Sequence, residues 1–133
     1  DRSQFNNIKK GMDGVSPKGE AIANAKLTLD PPKPKSYAFC SDTVYNESIV
    51  PIIKEVDVLY HESTFLESEA HLCAKTKHST AKQAAQIAKK AKVGELILGH
   101  YSTRYKSIEL FREEALKMFP NVALADDGKT FEI

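Results

Sequence analysis

An α/β fold, with parallel neighbours in one sheet and helices packed on it, is predicted by two features of the sequence. Short apolar runs, Tyr37-Ala38-Phe39-Cys40, Val56-Asp57-Val58-Leu59-Tyr60 and Glu95-Leu96-Ile97-Leu98-Gly99, alternate with stretches of helical periodicity. The clearest of those stretches carries its own start signal, Thr80-Ala81-Lys82-Gln83, in the form of a capping box. With 133 residues, 41% of them hydrophobic and 28% charged, the chain has the composition of one globular domain rather than a disordered tail. No apolar run approaches the ~18 residues of a spanning helix, which excludes a membrane role and makes the cytoplasm the expected location.

Residues 1–35 form a loop-rich edge, punctuated by Gly11, Gly14, Gly19 and Pro31-Pro32-Lys33-Pro34. Within it, Ala25-Lys26-Leu27-Thr28-Leu29 alternates like a short strand, and Phe5, Ile8, Ile22, Leu27 and Leu29 are expected to be buried. Residues 36–133 form the α/β part. The run 37–40 is its first strand, and Ile49–Ile53 a short helix with Pro51 in its first turn. The run 56–60 is the second strand. Ala81, Ala84, Ala85, Ile87, Ala88 and Ala91 line one face of a helix over 80–92. The run 95–99 is the third strand. A helix with Ser107 as N-cap follows, carrying Ile108, Phe111, Ala115, Met118 and Phe119 and closed by Pro120. Val122–Ala125 and Thr130–Ile133 flank Asp127-Gly128 as a hairpin.

Each apolar strand runs into polar groups at its C-terminal end: Ser41-Asp42-Thr43, His61-Glu62 and His100. In open α/β sheets that edge is where ligands bind. His78, just before the capping box, approaches the same region, so three of the four histidines converge on one edge. Aspartate and histidine suit zinc or a similar divalent ion. The same residues serve equally as turn formers, caps and hydrogen-bonded partners, and two ligands do not complete a site.

The net charge is only +1, yet Lys75, Lys77, Lys82, Lys89, Lys90 and Lys92 follow one another with no acid between Glu69 and Glu95. That stretch is either a solvated helix face or a phosphate-backbone footprint. Cys40 and Cys73 are too few for a disulfide scaffold and read as buried or free thiols.

Four blocks in order, Phe39-Cys40-Ser41-Asp42-Thr43, Tyr60-His61-Glu62-Ser63-Thr64-Phe65, His78-Ser79-Thr80-Ala81 and Gly99-His100-Tyr101-Ser102-Thr103-Arg104-Tyr105, resemble the C-terminal motifs of the ribonuclease Z family. These are tRNA 3′-processing endonucleases of the metallo-β-lactamase superfamily. Ala123-Leu124-Ala125-Asp126-Asp127-Gly128 also resembles the end of those enzymes. The resemblance implies the C-terminal half of a four-layer αββα sandwich. The half carrying a His-x-His-x-Asp-His signature, a further histidine ligand and the aspartate that activates water is absent from these 133 residues. It further implies a zinc-dependent endoribonuclease, with two zinc ions, that removes the 3′ trailer of precursor tRNA and acts as a homodimer, with neither DNA nor membrane as partner.

Carried over residue by residue, the resemblance makes Asp42 and His100 metal ligands, His78 the group that protonates the leaving oxygen, and Glu62 the carboxylate that orients it. Ser79, Thr80 and Arg104, and Lys75 and Lys77 from the basic stretch, are expected to contact substrate, and His61 to shape the loop beside the site. Ser63 stands where the family usually has alanine, and Gly99, Tyr101 and Thr103 replace the usual Thr, Phe and Pro around His100. The isolated fragment is expected to be inactive, with an apolar sheet face that the missing half would cover. The alternatives are another phosphodiesterase of the superfamily, or a non-catalytic α/β interaction module.

Overall fold

The computed structural model describes residues 2–133, which divide into two units, one ending at Pro34 and the other spanning Lys35–Ile133. The first contains a short helix α1 (Phe5–Lys9) and a two-stranded antiparallel hairpin, β1 (Gly14–Val15) with β2 (Ala21–Ile22). Polar side chains hold it together. Asn24 Nδ2 donates to the carbonyls of Ile8 and Met12 at 2.7 and 2.8 Å, and Gln4 exchanges two hydrogen bonds with the backbone of Val15. The strand expected at 25–29 does not form. A 3₁₀ turn over Asn24–Lys26 takes its place, and Leu29 is 96% exposed. Alternation alone makes no strand where no neighbouring strand offers hydrogen bonds.

The second unit is built on β3 (Tyr37–Cys40), β4 (Val58–Glu62), the single-turn helix α2 (Cys73–Thr76), α3 (Ala81–Ala91), β5 (Glu95–Gly99), α4 (Glu109–Leu116) and β6 (Val122–Leu124). The four strands form one sheet in the order β3-β4-β5-β6, parallel throughout. The predicted sheet is therefore present, with a fourth strand. β4 lies two residues later than its apolar run suggests, so His61 and Glu62 belong to the strand itself.

Helix α3 starts as its sequence dictates: Thr80 Oγ1 accepts from Gln83 N–H at 3.1 Å and Gln83 Oε1 accepts from Thr80 N–H at 3.0 Å. Its six apolar residues are fully buried against Leu59, Leu96 and Leu98. Five of those six are alanines, small enough for close approach of helix to sheet. Phe111 of α4 completes this core, with Val122 and Leu124 from β6. Ser107 does accept a hydrogen bond from Glu109 N–H, at 3.2 Å.

Two local expectations fail. Residues 49–53 form turns after a 3₁₀ segment, Glu47–Ile49, because Pro51 has no N–H with which to continue a helical ladder. The C-terminal hairpin is also absent. Asp127-Gly128 does turn the chain, with Gly128 at φ 78°, but β6 pairs with β5 alone. Phe131 and Ile133 instead line a hollow with Tyr37, Phe39, Val58, Tyr60 and Ile97, on the sheet face away from α3 and α4. Burying an aromatic ring there outweighs adding a strand to a three-residue edge.

On that face Phe39 stacks on Tyr60, with centroids 4.6 Å apart. Tyr60 in turn occupies the space that a side chain at position 99 would need. A Cβ on Gly99 would lie 2.6 Å from Tyr60 Cε2. Gly99→Ala is expected to lower stability by about 1–3 kcal/mol through overpacking. Urea unfolding of Gly99→Ala beside Gly99→Ala/Tyr60→Leu checks it: an unchanged midpoint in the single variant, or no recovery in the double one, contradicts the steric account.

Candidate metal and catalytic site

Parallel strands deliver their polar C-terminal residues to one edge. Asp42 follows β3, Glu62 ends β4 and His100 follows β5, while the turn before α3 brings His78 beside them. The loops are stitched to one another. Phe65 N–H donates to Ser79 O, Ala81 N–H to Phe65 O, and Ser102 N–H to Thr64 O at 3.0–3.2 Å. Ser63 donates to Gly99 O from both its N–H (2.8 Å) and its hydroxyl (3.1 Å). The serine at position 63 thus uses its extra oxygen on the glycine at position 99, so these two departures from the family pattern are bonded to each other.

Glu62 is fully buried and accepts four hydrogen bonds. Oε1 takes Thr43 N–H at 3.1 Å and His78 Nδ1 at 2.9 Å; Oε2 takes Thr64 N–H at 3.0 Å and the Thr64 hydroxyl at 2.9 Å. Because a carboxylate only accepts, His78 must carry a proton on Nδ1, which directs Nε2 away from Glu62. His100 Nδ1 lies 2.8 Å from the Thr64 hydroxyl, and its Nε2 lies 3.4 Å from Asp42 Oδ1.

Asp42, His78 and His100 each offer a ligand atom, all within 4.8 Å of one another. The 3.4 Å separation is long for a charge-assisted hydrogen bond. It is close to the spacing of two ligand atoms each ~2.0–2.1 Å from one tetrahedral zinc. The donor set, one carboxylate oxygen and imidazole nitrogens, fits a divalent metal ion in kind, and the Asp42–His100 pair also fits it in spacing.

Asp42 and His100 also share an uncommon backbone conformation, with φ 50° and 60°. Both sit in the left-handed region just after β3 and β5, the two strands that flank β4. Non-glycine residues are strained there, and such strain collects at functional sites.

The remaining candidates divide. Arg104 stands at the site, its guanidinium 5.1 Å from the Phe65 ring, which meets His78 edge-on at 6.3 Å. Lys75 and Lys77 are exposed in and just after α2. Ser79 and Thr80, expected to contact substrate, are buried: the Ser79 hydroxyl donates to Thr43 O at 2.6 Å and that of Thr80 caps α3. Their work is to hold the loops. His61 lies within β4 rather than in a loop, is fully buried, and places Nδ1 2.8 Å from Glu62 O. Burial pushes its pKa down, favouring the neutral ring. The lysine run is partly neutralised, since Lys82 faces Glu67 at 3.2 Å and Lys90 pairs with Glu47. Cys40 and Cys73 are free thiols whose pKa values burial raises. Thr43, expected only as one of the polar groups after the first strand, and Thr64, which had no expected role, both bond Glu62; Thr64 stands two residues beyond Glu62, the spacing at which an extended chain returns to the same side.

No protein-family model matches the chain. Among curated proteins, Ribonuclease Z of Parabacteroides distasonis is 50% identical over 126 residues, 95% of this chain and 41% of that protein. Ribonuclease Z of Cytophaga hutchinsonii is 47% identical over 127 residues, again 95% of this chain and 41% of the relative. The chain is homologous to part of ribonuclease Z. It spans about two fifths of the length of these relatives.

Among solved structures, a long-form RNase Z from yeast aligns with TM-score 0.59 and 27% identity over 67% of this chain and 12% of that one. The short form of human tRNase Z aligns with TM-score 0.51 and 28% identity, over 66% of this chain and 29% of that one. The metallo-β-lactamase fold protein YhfI of Bacillus subtilis aligns with TM-score 0.69 over 91% of this chain and 48% of its own; at 22% identity it speaks for the fold alone. The parallel sheet with its helices fits the C-terminal half of that fold. Among the described residues no helix is long and apolar enough to cross a membrane.

Proposed function

We propose that this chain is the C-terminal part of a zinc-dependent endoribonuclease that removes the 3′ trailer of precursor tRNA by phosphodiester hydrolysis. The observation that carries the proposal is the convergence of Asp42, His78 and His100, with Glu62 bonded behind His78. Asp42 and His100 would hold zinc together with ligands from the rest of the protein. When bound, zinc supplies Lewis-acid stabilisation of the charge that builds on the phosphoryl oxygens.

His78 has the geometry of the general acid. With Nδ1–H held by Glu62, a protonated ring presents Nε2–H to the substrate and delivers that proton to the leaving oxygen as the P–O bond breaks. Water provides the incoming oxygen. Arg104, Lys75 and Lys77 are the proposed contacts to RNA phosphates, through charge-assisted hydrogen bonds. The homodimer implied by the family resemblance and the cytoplasmic location expected from the sequence belong to the same proposal.

A chimera tests it, with these residues replacing the matching 126 of the Parabacteroides relative. The chimera is expected to cleave precursor tRNA at the trailer junction, and the isolated 133-residue chain to cleave nothing. Efficient turnover of a small phosphodiester without tRNA cleavage would favour another phosphodiesterase of the superfamily. No turnover of either, in a folded chimera that binds zinc, would favour the non-catalytic module.

A further inference from the structure

We infer that Thr64 is a positioning residue that ties His100 to the carboxylate already holding His78, fixing the His100 ring with its proton on Nδ1 and its Nε2 lone pair toward Asp42. The inference rests on the metal-site reading in one respect only, that His100 Nε2 is the ligand atom.

A threonine hydroxyl has one proton and here two close neighbours, Glu62 Oε2 at 2.9 Å and His100 Nδ1 at 2.8 Å. If that proton pointed at His100, the contact to Glu62 Oε2 would set one oxygen lone pair against another in a buried site, where nothing screens the repulsion. The proton therefore goes to Glu62, and the hydroxyl oxygen is left as an acceptor. At 2.8 Å, His100 Nδ1 must then be the donor. Thr64 N–H donates to the same Oε2 at 3.0 Å, which fixes the side chain on Glu62 from two points.

In the neutral ring, a proton on Nδ1 leaves Nε2 unprotonated. That is the form an imidazole needs to bind a metal ion through Nε2, and a hydrogen bond on the far nitrogen is the usual device that selects it. One buried carboxylate thus sets two histidines, His78 directly and His100 through one hydroxyl. Thr64 is buried, and its carbonyl accepts Ser102 N–H at 3.0 Å, so the relay is also anchored to the segment that follows His100.

The test is the tautomer of His100, read from long-range ¹H–¹⁵N correlations of the metal-free, histidine-labelled 133-residue chain at about pH 8, where an ordinary imidazole is neutral. A His100→Gln spectrum assigns the signal. Wild-type His100 is expected in the Nδ1–H form, Thr64→Val to move it to the Nε2–H form or a mixture, and Thr64→Ser to restore it. In the chimera, Thr64→Val is expected to weaken zinc binding about 10–100-fold, with Thr64→Ser near wild type. A wild-type Nε2–H form overturns the inference even if Thr64→Val does not fold, and so does a folded Thr64→Val chain with an unchanged tautomer. Failure of the chimera to cleave tRNA would count against the proposed function and leave the tautomer result standing.

Discussion

In the chimera, His78→Ala is expected to lower precursor-tRNA turnover by about 10²–10⁴-fold, the range of a lost general acid, while bound zinc stays at its wild-type stoichiometry. Two roles compete for this residue. Its ligand atom lies within 4.8 Å of those of Asp42 and His100, so a third metal ligand is a geometric option. A carboxylate behind an imidazole also orients metal-binding histidines. What separates His78 from His100 is its partner. His78 is bonded directly to Glu62 at 2.9 Å, which holds its Nδ1 proton and leaves Nε2 free to face a substrate. His100 instead meets a neutral hydroxyl. Zinc measured after dialysis decides between them: loss of metal in parallel with activity would make His78 a ligand and remove the general acid from the mechanism. Glu62→Gln extends the test, because its amide can no longer accept at every position now occupied. Turnover should fall in Glu62→Gln.

The parts of the fold that were legible in the sequence are those whose local signals and tertiary contacts agree. Thr80 and Gln83 announce the start of α3, and the alanine stripe that follows is the face that packs on Leu59, Leu96 and Leu98. The strands were visible as apolar runs because parallel strands covered by helices need little polar alternation. Their convergence followed from topology, since consecutive parallel strands must place Asp42, Glu62 and His100 on one edge. Where local pattern had no tertiary support, it misled. Ala25–Leu29 alternates with no strand to receive it, and Asp127-Gly128 turns a tail that packs on the sheet face rather than beside β6. Side-chain direction was less legible still. Ser79 and Thr80 stand next to His78 in sequence, yet both point inward, because a loop that must bring three strand ends together uses its hydroxyls on neighbouring backbone. The open face of the sheet explains why Tyr37 and Phe39 are half exposed or more in a chain that otherwise buries its apolar runs, as half of a sandwich would.

Asp42→Gly and His100→Gly in the chimera are each expected to strip the bound zinc and reduce cleavage to background, without a comparable loss of fold stability. This combination follows from the backbone. Both residues hold left-handed φ values, 50° and 60°, which cost a non-glycine residue about 1–3 kcal/mol and cost glycine almost nothing. Glycine offsets part of that gain, about 0.4–1 kcal/mol, by widening the freedom of the unfolded chain. The side chains themselves contribute little to packing, since that of Asp42 is 72% exposed and that of His100 is 44% exposed. The expected balance is a urea midpoint equal to or above that of the parent. Function and stability then move in opposite or unrelated directions, as they do where a strained conformation is kept for the ligand it presents. If both variants kept zinc at wild-type stoichiometry, the metal would be bound elsewhere, and the left-handed turns after β3 and β5 would have no functional explanation. If instead both variants unfolded, the contact between Asp42 and His100 would be a structural one, and the convergence of the strand ends would no longer argue for a metal.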